Sequence, residues 1–465
     1  MIRLLNKFVE KSFFPIVFKY ITGAVFIALL IIGFSANSSD SALLKYLRNF
    51  NIANLLVWSY WWPIIIISAV FFGRIWCMVC PIELVTSFFA KIGFKKERPK
   101  WIKSGWAITI FYIIILFIGI NGFAIHRNPF AMSMYLLSIT IVAAFSGLIF
   151  KKNTFCRYIC PVGHLLGLYS RFSFLGWRVK DKETCKTCKD LSCISNDYSY
   201  NHKAKSCGVD LYPANIKDNS KCILCGGCRK TCGKYQTEEN PNRPNPGFTK
   251  INISDRVFNL TKLSLAESFF VLIVSGFVIY EVFVEWKISK SLIMYLPNLI
   301  GQEFNISNPF LFGIQKCILL YFLLPLLIWF IPFIVNKRKS NLGFKEYMKH
   351  AAIIFIPIMA AAHIIKALLK MTSRIPYFEH TFSDVSGLQN TQLFLNNQIE
   401  LLSVPSFINN TVSLINFVVI VAGILLSFLV TKKSIKANNL NKNLYLIPII
   451  YGSTFLIMLV LWQLS

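Results

Sequence analysis

Nine apolar segments constrain the fold of this 465-residue chain more than any other feature. Each is about 20 residues long, the length that an α-helix needs to cross the hydrocarbon core of a bilayer. Because lipid offers backbone polar groups no water to bind, such segments are expected to be helical. The chain is 55% hydrophobic and only 15% charged, which is typical of an integral membrane protein. The segments are residues 13–34, 53–72, 105–124, 132–150, 264–284, 312–335, 351–369, 412–430 and 444–461.

The charges between these segments predict the orientation of the chain. Lys and Arg crowd into alternate connections, and this bias marks the cytosolic side of membrane helices. The formal net charge of +28 is therefore explained by the membrane, and we expect no nucleic-acid partner. The first segment has a basic start and is expected to remain as an anchor rather than be cleaved. We predict a multi-pass protein of a bacterial-type cytoplasmic membrane, with the amino terminus cytosolic and the carboxyl terminus outside.

The connection at residues 153–262 is the one large soluble stretch. We predict three domains: a four-helix membrane region (1–152), a cytosolic insert (153–262) and a five-helix membrane region (263–465). Residues 240–247, rich in Asn and Pro, predict a loop. The insert is rich in metal ligands and poor in apolar residues, so we expect no sizeable core; bound metal would supply its folding free energy. The fold class is then an all-α integral membrane protein of about nine transmembrane helices with an inserted cytosolic domain.

The insert contains eight of the 13 cysteines in closely spaced sets. Short C-x2-C spacings favour metal ligation over disulfides in a reducing compartment. A zinc site would use only four of these cysteines, whereas two 4Fe-4S clusters would use all eight, so we favour two clusters. The crossover rule of bacterial ferredoxins divides the ligands into two sets. One set is Cys185, Cys188, Cys193 and Cys232, and the other is Cys207, Cys222, Cys225 and Cys228. The inserted cytosolic domain is therefore expected to be a dicluster ferredoxin-like domain.

Two further cysteine pairs lie where apolar segments leave the membrane on the cytosolic side. They are Cys77/Cys80, followed by Pro81, and Cys156/Cys160, followed by Pro161. A proline at these positions predicts a helix break or a new helix start. The pairs could be buried free thiols, a redox-active dithiol, or four ligands of a third cluster or metal. Arg74 and Arg157 neighbour them in sequence and would favour thiolates.

Two cysteine–proline motifs followed by a dicluster ferredoxin resemble the membrane polyferredoxins of the NapH, NosR and CcoG types. The resemblance covers roughly residues 53–240. The first motif has two residues between its cysteines where the family usually has three, and the five carboxyl-terminal segments exceed the minimal NapH-type unit. The resemblance implies electron transfer between the membrane quinone pool, or a partner fed by it, and iron–sulfur carriers. It also allows a quinol dehydrogenase-type subunit.

Ionisable residues within the later apolar segments predict a second site. His363 and Lys366 share one helix face, and Glu281 lies at a depth where it could pair with Lys366. Such groups are candidates for a quinol and proton site, although Lys366 could instead extend to the interface and leave His363 packed. Haem is not expected, because His350 and His363 face different sides of one helix; His126 would have to supply the second ligand.

Three functions are compatible with these features. The first is membrane-bound electron transfer between quinol, or an extracytoplasmic partner, and cytosolic 4Fe-4S clusters. The second is an assembly or regulatory redox factor for a respiratory metalloenzyme, and the third is an ion-translocating redox module. The basic insert would suit an acidic ferredoxin- or flavodoxin-like carrier or another redox subunit. The same charge would also suit anionic lipid.

Overall fold

The computed structural model describes residues 2–189, 191–196, 199–200, 205–232, 246–258, 262–337, 343–438 and 440–464. This part of the chain is mostly helical. It contains eight helices that are long and apolar enough to cross a membrane: Ile16–Ser35, Ile52–Phe72, Pro129–Ile149, Leu265–Phe283, Pro309–Val335, Phe344–Ser383, Ser406–Asn438 and Lys442–Leu461. The remaining predicted segment, 105–124, forms a shorter apolar helix, Trp106–Gly122. A multi-pass membrane fold is therefore supported, while the count of nine and the orientation stay predictions.

Shorter elements connect these helices. Within the described residues, π-helical turns interrupt three of the apolar helices, at Leu56–Trp61, Ile115–Gly122 and Ile318–Leu323. Two strands, Leu175–Arg178 and Gly247–Lys250, form an antiparallel pair. The other principal helices are Ile2–Glu10, Ser41–Phe50, Pro81–Ile92, Lys100–Lys103, Thr154–Tyr158, Pro161–Ser170, Lys182–Lys186, Gly227–Lys230, Ile253–Phe258, Lys287–Glu303 and Leu388–Leu395, with 3-10 turns at Ile75–Met78, Pro213–Asn215, Ile375–Tyr377 and Lys442–Tyr445.

The chain divides into two compact units. The first comprises Met1–Ala28, Ser68–Ile108 and Leu136–Thr261, and the second comprises Leu29–Ile67, Thr109–Tyr135 and Lys262–Ser465. The first unit thus combines the cysteine-rich insert with the ends of several membrane helices. Each unit is made of three separate stretches of the chain, so the two units do not correspond to the three predicted domains. The three-domain division therefore stays a prediction.

The cysteine-rich unit has a hydrophobic core, so the expectation that the insert lacks one is wrong. Val9, Phe14, Leu175, Trp177, Ile216, Leu224 and Phe248 are buried together. The insert alone is indeed poor in apolar residues, but the amino-terminal helix Ile2–Glu10 supplies the missing surface. Asn6 fixes this helix to the strand pair, since its amide group exchanges two hydrogen bonds with the backbone of Phe248 (3.2 and 2.7 Å). Most of the predicted 240–247 loop lies outside the described residues, and the second strand begins at Gly247.

The second unit is built around the long helix Phe344–Thr372, most of whose residues are buried. Small residues allow close helix packing there, as is common in membrane bundles. A Cβ atom on Gly423 would lie 2.6 Å from that of Ala361 and 3.1 Å from the carbonyl oxygen of Pro357. Ser427 donates a hydrogen bond to the carbonyl of Ile354 (2.7 Å) across the same contact. This packing positions the intramembrane polar groups described below.

Candidate metal centres

Each predicted cysteine–proline motif starts a new helix. Pro81 begins the helix Pro81–Ile92, and Pro161 begins the helix Pro161–Ser170. The preceding Cys80 and Cys160 are the N-cap residues and have extended backbones. Proline suits the first helical position because its missing N–H would have no intrahelical partner there. The prediction of a helix start is therefore confirmed at both motifs.

The structure brings the two motifs together in a helix-end group of four thiols, Cys77, Cys80, Cys156 and Cys160, each interacting electrostatically with others of the group. The Cys160 sulfur accepts a hydrogen bond from the backbone N–H of Gly163 (3.3 Å). The guanidinium of Arg74, which is 5% exposed, interacts with three of the four thiols. Its Nη1 also donates to the carbonyl of Ser220 (3.0 Å), just before Cys222. Arg74 thus connects this group to the insert.

Burial opposes ionisation of these thiols when no metal is bound. It raises the pKa of Cys80 to about 12 and that of Cys160 to about 11, although Arg74 lowers the latter. The expectation that the neighbouring arginines favour thiolates is therefore right in sign for Arg74, but burial outweighs the effect. Arg157 points elsewhere: it donates to the carbonyl of Val209. Burial raises the pKa of Cys207 to about 11, and Arg157 offsets only a part of that rise. A bound metal would supply the positive charge that deprotonates such thiols.

A second set of thiols, which we call the cavity group, lines one cavity. Its members are Cys207, Cys222, Cys225 and Cys228. Hydrogen bonds reach these sulfurs: the indole N–H of Trp177 donates to Cys228 (3.1 Å), and the backbone N–H of Leu211 donates to Cys207 (3.3 Å). The chain turns between Cys225 and Cys228 at Gly226, whose φ of +73° favours glycine. Burial raises the pKa of Cys222 to about 12.

The remaining cysteines of the insert form a third group, Cys185, Cys188, Cys193 and Cys232. Cys193 interacts electrostatically with the other three, and burial raises its pKa to about 12. The hydroxyl of Tyr212 donates to the carbonyl of Cys185 and ties the short helix Lys182–Lys186 to the rest of the insert. All four thiols also interact electrostatically with the Tyr212 hydroxyl.

Backbone contacts join the three groups in series. The N–H of Cys207 donates to the carbonyl of Cys193 (2.8 Å), which connects the cavity group to the third group. The N–H of Asn153 donates to the carbonyl of Gly208 (3.0 Å), next to Cys207. Because Asn153 immediately precedes the helix of Cys156, this bond connects the cavity group to the helix-end group. In this series of backbone hydrogen bonds, the cavity group lies between the third group and the helix-end group.

The donor sets fit iron–sulfur chemistry. Each group supplies four cysteines, the usual ligand count for a 4Fe-4S cluster, and N–H groups already point at sulfur in two of them. Among the described residues, no three His, Cys, Asp or Glu side chains converge as ligands of a single metal ion. A four-iron cluster asks for a wider arrangement, because each thiolate binds a different iron. Such a cluster would accept and donate one electron at a time.

The predicted quinol-site residues lie in the second unit. The Lys366 ammonium forms an ion pair with Glu281 (Nζ to Oε2, 3.2 Å), as anticipated, and a second with Glu285, which the sequence analysis did not identify. His363 is 4% exposed, with Trp62 and Phe277 as ring neighbours at 6.5 and 6.1 Å between centroids. His126 accepts a hydrogen bond from the guanidinium of Arg127 (3.1 Å). Cys317 is fully buried in its helix, as expected of a packing residue.

A buried polar network that the sequence did not predict lies beside the cysteines. Glu83, only 3% exposed, forms ion pairs with Lys19 and Lys205 and accepts hydrogen bonds from Ser87 and Asn153. Burial alone would raise the pKa of Glu83, but the two ammonium groups lower it well below its usual range. The signal was present in the sequence as an acidic residue one turn into a helix that otherwise looks apolar. Its partners come from distant segments, which no local pattern reveals.

The comparisons with known proteins point to the same region. A family described as "4Fe-4S binding domain" matches residues 54–99 and 130–181. These stretches contain the whole helix-end group and end just before Cys185. The match therefore covers the two cysteine–proline motifs and not the eight cysteines that follow them.

Among curated proteins, an uncharacterized protein of Methanocaldococcus jannaschii is 23% identical over 44% of this chain and 79% of its own length. The ferredoxin-type protein NapH of Haemophilus influenzae is 25% identical over 37% of this chain, and the methylamine utilization ferredoxin-type protein MauN of Paracoccus denitrificans is 24% identical over 34%. The chain spans 63% and 56% of the lengths of these two proteins. No solved structure matches. These matches confirm the resemblance expected from the sequence: this chain is similar to membrane ferredoxin-type proteins of the NapH kind and contains a 4Fe-4S binding domain.

Proposed function

We propose that this protein transfers electrons between a membrane hydroquinone and 4Fe-4S clusters on the cytosolic face. The observation that supports this most directly is the bonded series of three four-cysteine groups, one of which begins at the ends of membrane helices. Oxidation of one hydroquinone to the quinone releases two electrons and two protons. The electrons would pass singly along the thiolate-bound centres to an acidic cytosolic carrier, and the protons would go to water.

The number of clusters can be counted by removing ligands one group at a time. We expect the purified full-length chain to contain about 12 iron atoms, four for each thiol group. Cys156→Ser, Cys188→Ser and Cys228→Ser should each lose about four of them. Cys317→Ser is the control, because that thiol belongs to none of the three groups. If the wild type contains about eight iron atoms and Cys156→Ser contains the same number, the protein has two clusters and none at the helix-end group.

Electron entry is tested separately with a short-chain quinol. Addition of the quinol to anaerobic protein in nanodiscs should produce the paramagnetic signal of reduced clusters. If dithionite reduces the clusters and the quinol does not, a quinol is not the electron donor. The role in assembly of a respiratory metalloenzyme then becomes the better proposal. The same assay tests the proposed quinol residues His363, Lys366 and Glu281. If the clusters of a His363→Leu variant are reduced by quinol at the wild-type rate, these residues do not form the quinol site.

A further inference from the structure

A cavity of about 170 Å³ lies in the first unit, at the amino end of the first membrane helix. Most of its surface is apolar, and aromatic rings form part of that surface. Phe14 is buried there, whereas Tyr20 and Phe88 are 58% and 60% exposed at its rim. Because Ile16, the first residue of the membrane helix, also lines it, a ligand dissolved in the bilayer could enter from the side.

The polar part of the wall is the Glu83 network. The Glu83 carboxylate accepts hydrogen bonds from Lys205 (3.0 Å) and Ser87 (2.9 Å), and the Lys205 ammonium also donates to Ser87 (2.6 Å). A buried carboxylate without partners would be costly, so these contacts hold the network in place. They also leave ammonium, hydroxyl and carboxylate groups side by side on the cavity wall. The wall can therefore both donate hydrogen bonds to a ligand and accept them.

This cavity shares two lining residues with the space between the thiols of the cavity group. Ile223 and Cys225 line both spaces, and Cys225 is itself one of those thiols. Glu83 in turn interacts electrostatically with Cys156 of the helix-end group. A redox-active ligand in the cavity would thus lie beside one proposed centre and near a second.

We propose that this cavity binds the ring of a quinone or hydroquinone, an inference that rests on the proposed function. A flat ring with an oxygen at each end suits aromatic walls and a polar network of donors and an acceptor. The phosphate of an anionic lipid is the competing ligand, because Lys91 and Lys230 line the cavity in addition to Lys19 and Lys205. Glu83, which pairs with Lys19 and Lys205, would repel a phosphate placed beside those two ammonium groups. Oxidation of the bound hydroquinone would send one electron to each of two centres. The two protons would go to water at the mouth, where the Lys205 side chain is 26% exposed.

The test uses a photoreactive quinone analogue on full-length protein in nanodiscs of neutral lipid. Label is expected on the peptides that contain Phe14–Tyr20 and Glu83–Lys91. Leu84→Trp should fill the cavity without removing a polar group, and should weaken labelling and quinol-driven cluster reduction about tenfold or more. Val85→Trp is the matched control, since Val85 is equally half-buried on the same helix but does not line the cavity. Dithionite-reducible clusters at the wild-type level would show that both variants fold.

The outcomes separate the site from the function. Wild-type protein that takes no label in these peptides, or a Leu84→Trp variant that binds and reacts like the wild type, would overturn the site. Quinol-driven reduction that survives Leu84→Trp but is lost in Lys366→Met would place the quinone in the second unit and keep the proposed function. Labelling without any quinol-driven reduction would keep the site and overturn the function. Label displaced by anionic but not by neutral lipid would make this a lipid headgroup site instead.

Discussion

Replacing Trp177 by Phe is expected to lower the reduction potential of the cluster proposed at the cavity group. The indole N–H donates to the Cys228 sulfur at 3.1 Å, and the side chain is only 1% exposed, so no water competes for the bond. A hydrogen bond to a ligating sulfur stabilises the reduced cluster more than the oxidised one, because reduction adds negative charge to the sulfurs. Phenylalanine keeps a ring against Phe248, whose centroid lies 5.0 Å away, but has no donor.

The size of the shift follows from the strength of that bond. A hydrogen bond to a charged group contributes about 1.5–3 kcal/mol to stability, and only the part that differs between the two oxidation states changes the potential. If that difference is about 1 kcal/mol, the potential falls by about 40 mV, since 59 mV corresponds to a tenfold change for a one-electron couple. A potentiometric titration of the purified chain, followed by electron paramagnetic resonance, measures this directly.

Phe248→Leu is the matched control for this prediction. It removes a 4%-exposed ring from the same core and leaves the indole–sulfur bond in place. Both variants should lose some thermal stability, but only Trp177→Phe should shift the potential. Equal potentials in the wild type and Trp177→Phe, with iron content retained in both, would show that this N–H does not tune a cluster. Equal shifts in both variants would assign the effect to packing.

Two further substitutions test how the cysteine-rich unit is held together. Gly226→Ala should lose about four irons, because the added Cβ would overlap Val9 at a residue whose φ is +73°; Gly23→Ala, where nothing lies within 4 Å, should lose none. Asp210→Asn should destabilise the unit by about 3–5 kcal/mol in thermal melts followed at the cluster absorbance. The reason is that its two cationic partners, Arg98 and Lys152, are 5% and 3% exposed and would be left without that charge.

The sequence predicted the local features of the candidate site well. Cysteine spacing decides which sulfurs can lie close together on one turn of the chain. The two cysteine–proline motifs, and the helices that begin at their prolines, could therefore be predicted without a structure. Apolar length predicted the eight helices that are long and apolar enough to cross a membrane, because the bilayer imposes that length. An (i, i+3) spacing placed His363 and Lys366 on one face, and the pairing of Lys366 with Glu281 followed from matching depth.

The features that sequence did not reveal are those that depend on distant segments. The strand pair joins residues about 70 positions apart in the chain, from Arg178 opposite Gly247 to Leu175 opposite Lys250, and each strand is only four residues long. Such short strands leave almost no periodic signal. The Glu83 network likewise gathers Lys19 and Lys205 from opposite ends of the first unit. Local propensity carries no information about partners of this kind, and so both the core and the network were missed.

The same distant contacts determine where the proposed clusters lie relative to the membrane. Phe14 and Trp177 belong to one buried core, and Cys222 and Cys228 pack against it. Two residues after Phe14, Ile16 begins the first membrane helix. The cavity group is therefore packed against the base of a membrane helix rather than carried on a tether, and this packing requires the amino-terminal segment. An electron carrier built in this way needs no domain movement to meet a donor dissolved in the bilayer, because donor site and first acceptor would share the same few residues.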